Sequence, residues 1–186
     1  MARSVVSVLT LLALAAPAAY ATQVMHMDTR ALVVASNDIV VGEVESVAPR
    51  WSPSHTKIFT DVRVRVTQSL KGGGATTLTL SQLGGTIGAM RYNVPGCPAF
   101  TPGEEALLFV WRDRQGGAQV SGLAQGKFDI RRDAAGVATV QRSAEGLAVL
   151  DANRLQLVPP GRPAPRIPLA DLVRAIQSAM REGAGR

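Results

Sequence analysis

Residues 58–70 read IFTDVRVRVTQSL, and this stretch decides the fold class. Val62, Val64 and Val66 alternate with Asp61, Arg63, Arg65 and Thr67, and Thr60 and Ile58 extend the inner row backwards. A period of two over that length predicts a β-strand with one face on a core and the other in water. β-Branched residues on the inner row suit a pleated, half-buried surface. Lys71-Gly72-Gly73-Gly74 ends the strand, because glycine favours turns and weakens a ladder. The remaining chain reads as strands pairing with this one, with a helix at either end.

Upstream, Asp28 is placed to cap a short helix over Thr29–Ala35, closed by Ser36-Asn37. Asp38–Val47 reads as the first strand, buried at its apolar start, with Gly42 marking a bulge. The two prolines of Ala48–Lys57 predict a loop leading to the central strand. Downstream, Thr76–Leu83 is a third strand with Leu78 and Leu80 inward, followed by the glycines of Gly84–Met90 and an irregular Arg91–Gly103. Ala106–Trp111 is apolar on both faces, which predicts a central strand covered by the core on one side and a helix on the other. Val120–Leu123 and Lys127–Ile130 read as one strand interrupted around Ala124-Gln125-Gly126. Asp133–Gly136 is a hairpin turn into Val137–Val140. Prolines 159, 160, 163, 165 and 168 make much of Ser143–Pro168 an extended connector. Leu169, Leu172, Val173, Ile176 and Met180 then recur at helical spacing after Pro168, an apolar face for the domain or for a partner.

The first residues carry a separate message. Arg3, the apolar run Ser4–Ala16 and the small-x-small Ala19-Tyr20-Ala21 predict a signal peptide over 1–21, cleaved after Ala21. The expected location is periplasmic or secreted. The apolar run is short for a membrane span and no other stretch approaches that length, so an integral membrane protein is not expected. With Arg3 removed, 19 basic and 14 acidic residues leave a mature charge of +5, too modest and dispersed to argue for nucleic acid. Residues 22–142 are expected to form one β-barrel domain, and 143–186 a Pro-rich connector and a C-terminal helix.

Motifs for chemistry are sparse. Cys97 is the one cysteine, so an intramolecular disulfide is impossible, and it reads as a small buried side chain, an intermolecular bridge or a reactive thiol. His26 and His55 are isolated and make a poor metal set. The sequence contains no nucleophile elbow, no zinc-binding H-E-x-x-H and no P-loop. The Gly-rich stretches after residues 70 and 83 follow strands, which makes them turns and not phosphate cradles. No cofactor, no metal and no catalytic residue is implied. Trp51, Phe59, Tyr92, Phe100, Phe109, Trp111 and Phe128 include several core positions, so a stacking platform for single strands is not indicated.

Ser36–Val44, Phe59–Val66 with its Leu70-Lys71-Gly72 ending, Pro102–Phe109 and Gly122–Phe128 together resemble a group of uncharacterised exported bacterial proteins. The likeness spans about Ser36 to Ile130. More remotely, the V-x-G-x-V strand and the long strand ending in K-G are similar to netrin-like domains, including tissue inhibitors of metalloproteases. That similarity implies an OB-like barrel of five to six antiparallel strands with packed helices. It does not imply their inhibitory mechanism, which needs an N-terminal cysteine where this chain would begin at Thr22.

The expected function is a non-catalytic interaction module that binds a protein or envelope component. Its expected surface is the row Asp61, Arg63, Arg65 and Thr67 with the loops around Trp51 and Tyr92. A regulator of an exported protease and a thiol-dependent enzyme using Cys97 are the alternatives.

Overall fold

Ala106, Leu107, Leu108, Phe109 and Val110 are all sealed from solvent, yet they serve two different cores. The computed structural model describes residues 22–143, 147–151, 156–158 and 164–184; the expected signal peptide and part of the connector lie outside them. In chain order the elements are β1 (Thr22–Met25), α1 (Thr29–Ala35), β2 (Asp38–Trp51), β3 (Ile58–Lys71) and β4 (Thr77–Leu83). A small hairpin of β5 (Gly85–Ile87) and β6 (Met90–Tyr92) follows, then β7 (Glu105–Arg112), β8 (Ala118–Val120), β9 (Lys127–Arg132) and β10 (Ala138–Arg142). Next come β11 (Leu147–Asp151), β12 (Gln156–Val158), β13 (Ile167–Pro168) and α2 (Leu169–Ala184). The fold is mainly β, with one helix towards each end.

The main sheet runs β13-β10-β9-β7-β2-β3-β4, so the most apolar strand sits in its middle as the sequence predicted. Its path holds more strands than the five or six expected, and among the described residues no ladder joins its two ends. Strand pleating sends alternate residues of β7 to opposite faces. Leu107 and Phe109 join Ile39, Val41, Phe128, Ile130 and Val140 beneath the helices, where Leu32, Val33, Leu172, Ile176 and Ala179 cover them. Ala106, Leu108 and Val110 face the other way. There the sheet curls over its own inner surface, so that Val62, Val64, Leu78 and Leu80 meet Ala118 and Val120. The terminal helix therefore docks on this sheet. Its first residue is Leu169, with Pro168 still paired to Thr139.

β2 runs four residues past the Val47 end that its apolar pattern predicts. It reaches Trp51, with Pro49 opposite Thr60, and the hairpin loop shrinks accordingly. The reason is positional: β7 pairs only with Asp38–Glu43, so the far part of β2 is an edge where a missing proline N–H leaves no ladder bond unmade. Register shifts at Val41/Gly42 and Val44/Ser46 supply the expected bulge and bend. A Cβ on Gly42 would lie 2.6 Å from both the Arg65 carbonyl oxygen and Val64 Cγ1, so the bend needs glycine.

β8 and β9 lie on one edge of β7. Val120 pairs with Val110, Ser121 N donates to the Phe109 carbonyl, and pairing resumes at Lys127 opposite Leu108. The residues between form the predicted interruption, a 3-10 turn over Leu123–Gly126. From that turn Gln125, 2 % exposed, accepts from Met27 N at 2.9 Å and donates to the Met25 carbonyl at 3.0 Å. Within the connector, β11 pairs in parallel with β1 and antiparallel with β12, two short strands that the sequence reading did not place; prolines 159, 160 and 163 lie outside the described residues.

Candidate functional site

A cleft of about 230 Å³ opens at the mouth of the second core, between β3/β4 and the Gly84–Phe100 segment that straps across it. Thr60 and Gln82 are cross-strand partners, and pleating sets them on the same face as Val62 and Leu80. The strap is fixed to this wall. Thr60 Oγ1 donates to the Gly84 carbonyl at 2.6 Å, and Gly84 N donates to the Ile58 carbonyl. Gly85 adopts φ +143°, and a Cβ there would sit 2.5 Å from Thr60 Oγ1. Only glycine lets the strap lie this close.

Apolar side chains of Val47, Val62 and Phe100 line part of the cleft, and Gln82, Arg91, Tyr92 and Cys97 supply its polar chemistry. Gln82 is only 6 % exposed, and its Nε2 is buried without a hydrogen-bond partner among the described residues. An orphaned buried donor of this kind costs about 1–3 kcal/mol. Burial pushes the Cys97 thiol above its ordinary range, so this sulfur is a neutral S–H and not an activated thiolate. No Asp or Glu lines the cleft.

The expected binding residues are divided by the sheet. Asp61, Arg63, Arg65 and Thr67 occupy the outer face, while Tyr92 and Cys97 line the cleft on the inner one. The outer row is also already partnered. Arg50 Nε donates to Asp61 Oδ2 at 2.6 Å, Arg63 Nε to Glu45 at 2.9 Å, and Arg65 pairs with Glu43. The row is a ladder of cross-strand ion pairs. Trp51 ends β2 opposite Ile58 and stacks on His55 with centroids 6.0 Å apart, so His55 serves the hairpin loop.

A second concavity, of about 550 Å³, lies over Glu104, Lys127 and Asp129. Lys127 Nζ, on a side chain 5 % exposed, lies 2.9 Å from Glu104 Oε1 and 2.7 Å from Asp129 Oδ1, with the Phe100 ring 5.0 Å away. Lys127 and its two acids are spent on one another and Arg132 on Glu105, whereas Arg131 and Arg166, which also line the concavity, make no ion pair among the described residues. Among the described residues no group of three or more His, Cys, Asp or Glu is placed to hold a metal ion, and no helix is long and apolar enough to cross a membrane.

Gln82 and Arg91 were missed by sequence reasoning. The signal for Gln82 was present: it takes the third inward position after Leu78 and Leu80, and an amide on an apolar row marks a site or a fault. Arg91 offered none, because its role depends on the strap. No protein-family model matches this chain, and no curated protein matches it.

Proposed function

We propose that this chain is an exported, non-catalytic binding module that receives part of a protein or envelope component in the cleft beneath the Gly84–Phe100 strap. On this reading its signal peptide is cleaved after Ala21 and it works in the periplasm or outside the cell. Its curled sheet is then an OB-like, netrin-like barrel, whose seam between β4 and β8 is closed by side chains such as Leu80 and Val120. The observation that carries the reading is the Gln82 amide, buried in a half-apolar cleft with an unused donor. Binding sites place a few polar groups in such settings, whereas a purely structural wall has no use for one. Thiol catalysis is the weaker reading, since burial raises the Cys97 pKa where a nucleophile needs it lowered.

The test is a pull-down from envelope and secreted fractions with the wild-type chain, Thr86→Trp and Arg63→Glu. Thr86 is exposed at the cleft rim, so tryptophan there obstructs entry without entering the core. A partner retained by Arg63→Glu and lost by Thr86→Trp supports the reading. A partner lost only by Arg63→Glu moves the site to the outer ladder and sinks it.

A further inference from the structure

The cleft is small, electropositive and rich in unused donors, and these properties define a ligand. At about 230 Å³ it falls below the ~300–1,000 Å³ of drug-sized sites, so it holds a fragment and not an oligosaccharide or nucleotide. Its formal charge comes from one residue. Arg50, Arg63, Arg65, Arg112 and Arg132 of the sheet each pair with a carboxylate, whereas Arg91 makes no ion pair among the described residues. No acid lines the cleft to neutralise it, and the Cys97 thiol stays protonated. Gln82 Nε2 adds a buried donor that no described residue satisfies. Thr60 adds none, because its hydroxyl proton is committed to Gly84. The apolar side of Val47, Val62 and Phe100 accepts a branched aliphatic or similar body.

We propose that the cleft binds a carboxylate carried on a small apolar body, with Arg91 supplying the countercharge and Gln82 Nε2 a hydrogen bond to an acceptor of the ligand. This rests on the binding-module reading and names its ligand chemistry. Arginine is suited to the task because its planar fork matches a carboxylate. The same chemistry is offered by a free small acid and by the C-terminal residue of a peptide.

The experiment is amide chemical-shift titration of the chain with N-acetyl-leucine, N-acetyl-leucinamide and a tetrapeptide ending in leucine with a free carboxylate. The acid is expected to shift Gln82, Arg91 and Cys97 saturably and to bind at least tenfold more tightly than the amide. Arg91→Gln is expected to erase that preference. Gln82→Met is expected to weaken both ligands while leaving the fold as stable or more so, since it removes an orphaned amide without changing length. Tetrapeptide binding at least as tight as the acid identifies a chain end as the source; binding of the acid alone identifies a free acid. An amide that binds as well as the acid, or a preference that survives in Arg91→Gln, overturns the proposal. Cleft shifts caused only by neutral or cationic fragments overturn the ligand class and leave the module standing, whereas no cleft shift from any of a diverse fragment panel overturns both.

Discussion

The Lys71 ammonium donates to the Ser36 carbonyl at 2.6 Å and to the Val33 carbonyl at 2.7 Å. The last residue of β3 thereby caps the C-terminus of α1, where unpaired carbonyls and the negative end of the helix dipole favour a cation. Ser36 is tied in further, its Oγ donating to the Leu32 carbonyl and accepting from Ser121 Oγ at 2.8 Å. Lys71→Met keeps the aliphatic stem and removes the charge. It is expected to cost about 1–2 kcal/mol, the scale of hydrogen bonds to a charged donor partly open to water. The readout is a lower denaturant midpoint at unchanged slope; an unmoved midpoint would show that the cap contributes nothing.

Gln125 holds the N-terminal segment by both ends of its amide, and Arg142 adds a bond from its Nη1 to the Met27 carbonyl at 2.9 Å. Gln125→Leu preserves the buried volume and leaves Met27 N and the Met25 carbonyl unpaired. Faster hydrogen exchange is expected at the Met27 amide, with core amides such as those of Leu107 and Phe109 nearly unchanged, because local opening draws on few buried contacts. Uniform acceleration across the core would mean that the clamp serves global stability instead.

These two contacts mark what a single sequence conveys and what it withholds. Alternation in β3, the doubly apolar β7, the Asp28 cap and the face of α2 are local patterns, and each produced the element it predicted. Lys71 in a K-G ending and Gln125 within an interrupted strand read as punctuation, since their partners lie 35 to 100 residues away. The reach of β2 to Trp51 was hidden because Pro49 is tolerated only where the strand has become an edge, a property of the sheet and not of the segment. The ion pairs that neutralise Arg63 and Arg65 depend on the β2–β3 register, which shifts at three points along the pair. The cleft depends on a strap whose irregular sequence carries no period.

Cys97 provides a pH test. Burial raises its pKa in the folded state, so the folded chain holds the thiol proton where the unfolded chain has begun to lose it. Stability from this source is intact below the ordinary thiol range and declines as pH rises from there through the folded-state pKa. Cys97→Ala is expected to flatten that alkaline decline and leave the neutral-pH slope alone. In parallel, maleimide labelling at neutral pH should be much slower for the folded chain than in urea; equal rates would contradict a desolvated thiol.

Arg63 and Glu45 settle whether the outer ladder is structural or a contact surface. Their side chains are 60 % and 37 % exposed, so the ion pair is worth only about 0.2–1 kcal/mol. Arg63→Glu places a like charge across from Glu45 and is expected to destabilise by a similar amount. The swap Arg63→Glu with Glu45→Arg restores the attraction with its direction reversed. If the ladder only braces the β2–β3 hairpin, the double variant should regain most of the midpoint lost by Arg63→Glu, short of the weaker 4.0 Å contact that Glu45 also makes with Arg65. It should also capture any partner as the wild type does. Recovered stability with lost capture would show instead that a partner reads the order of charges along this face, and would move the binding surface away from the cleft.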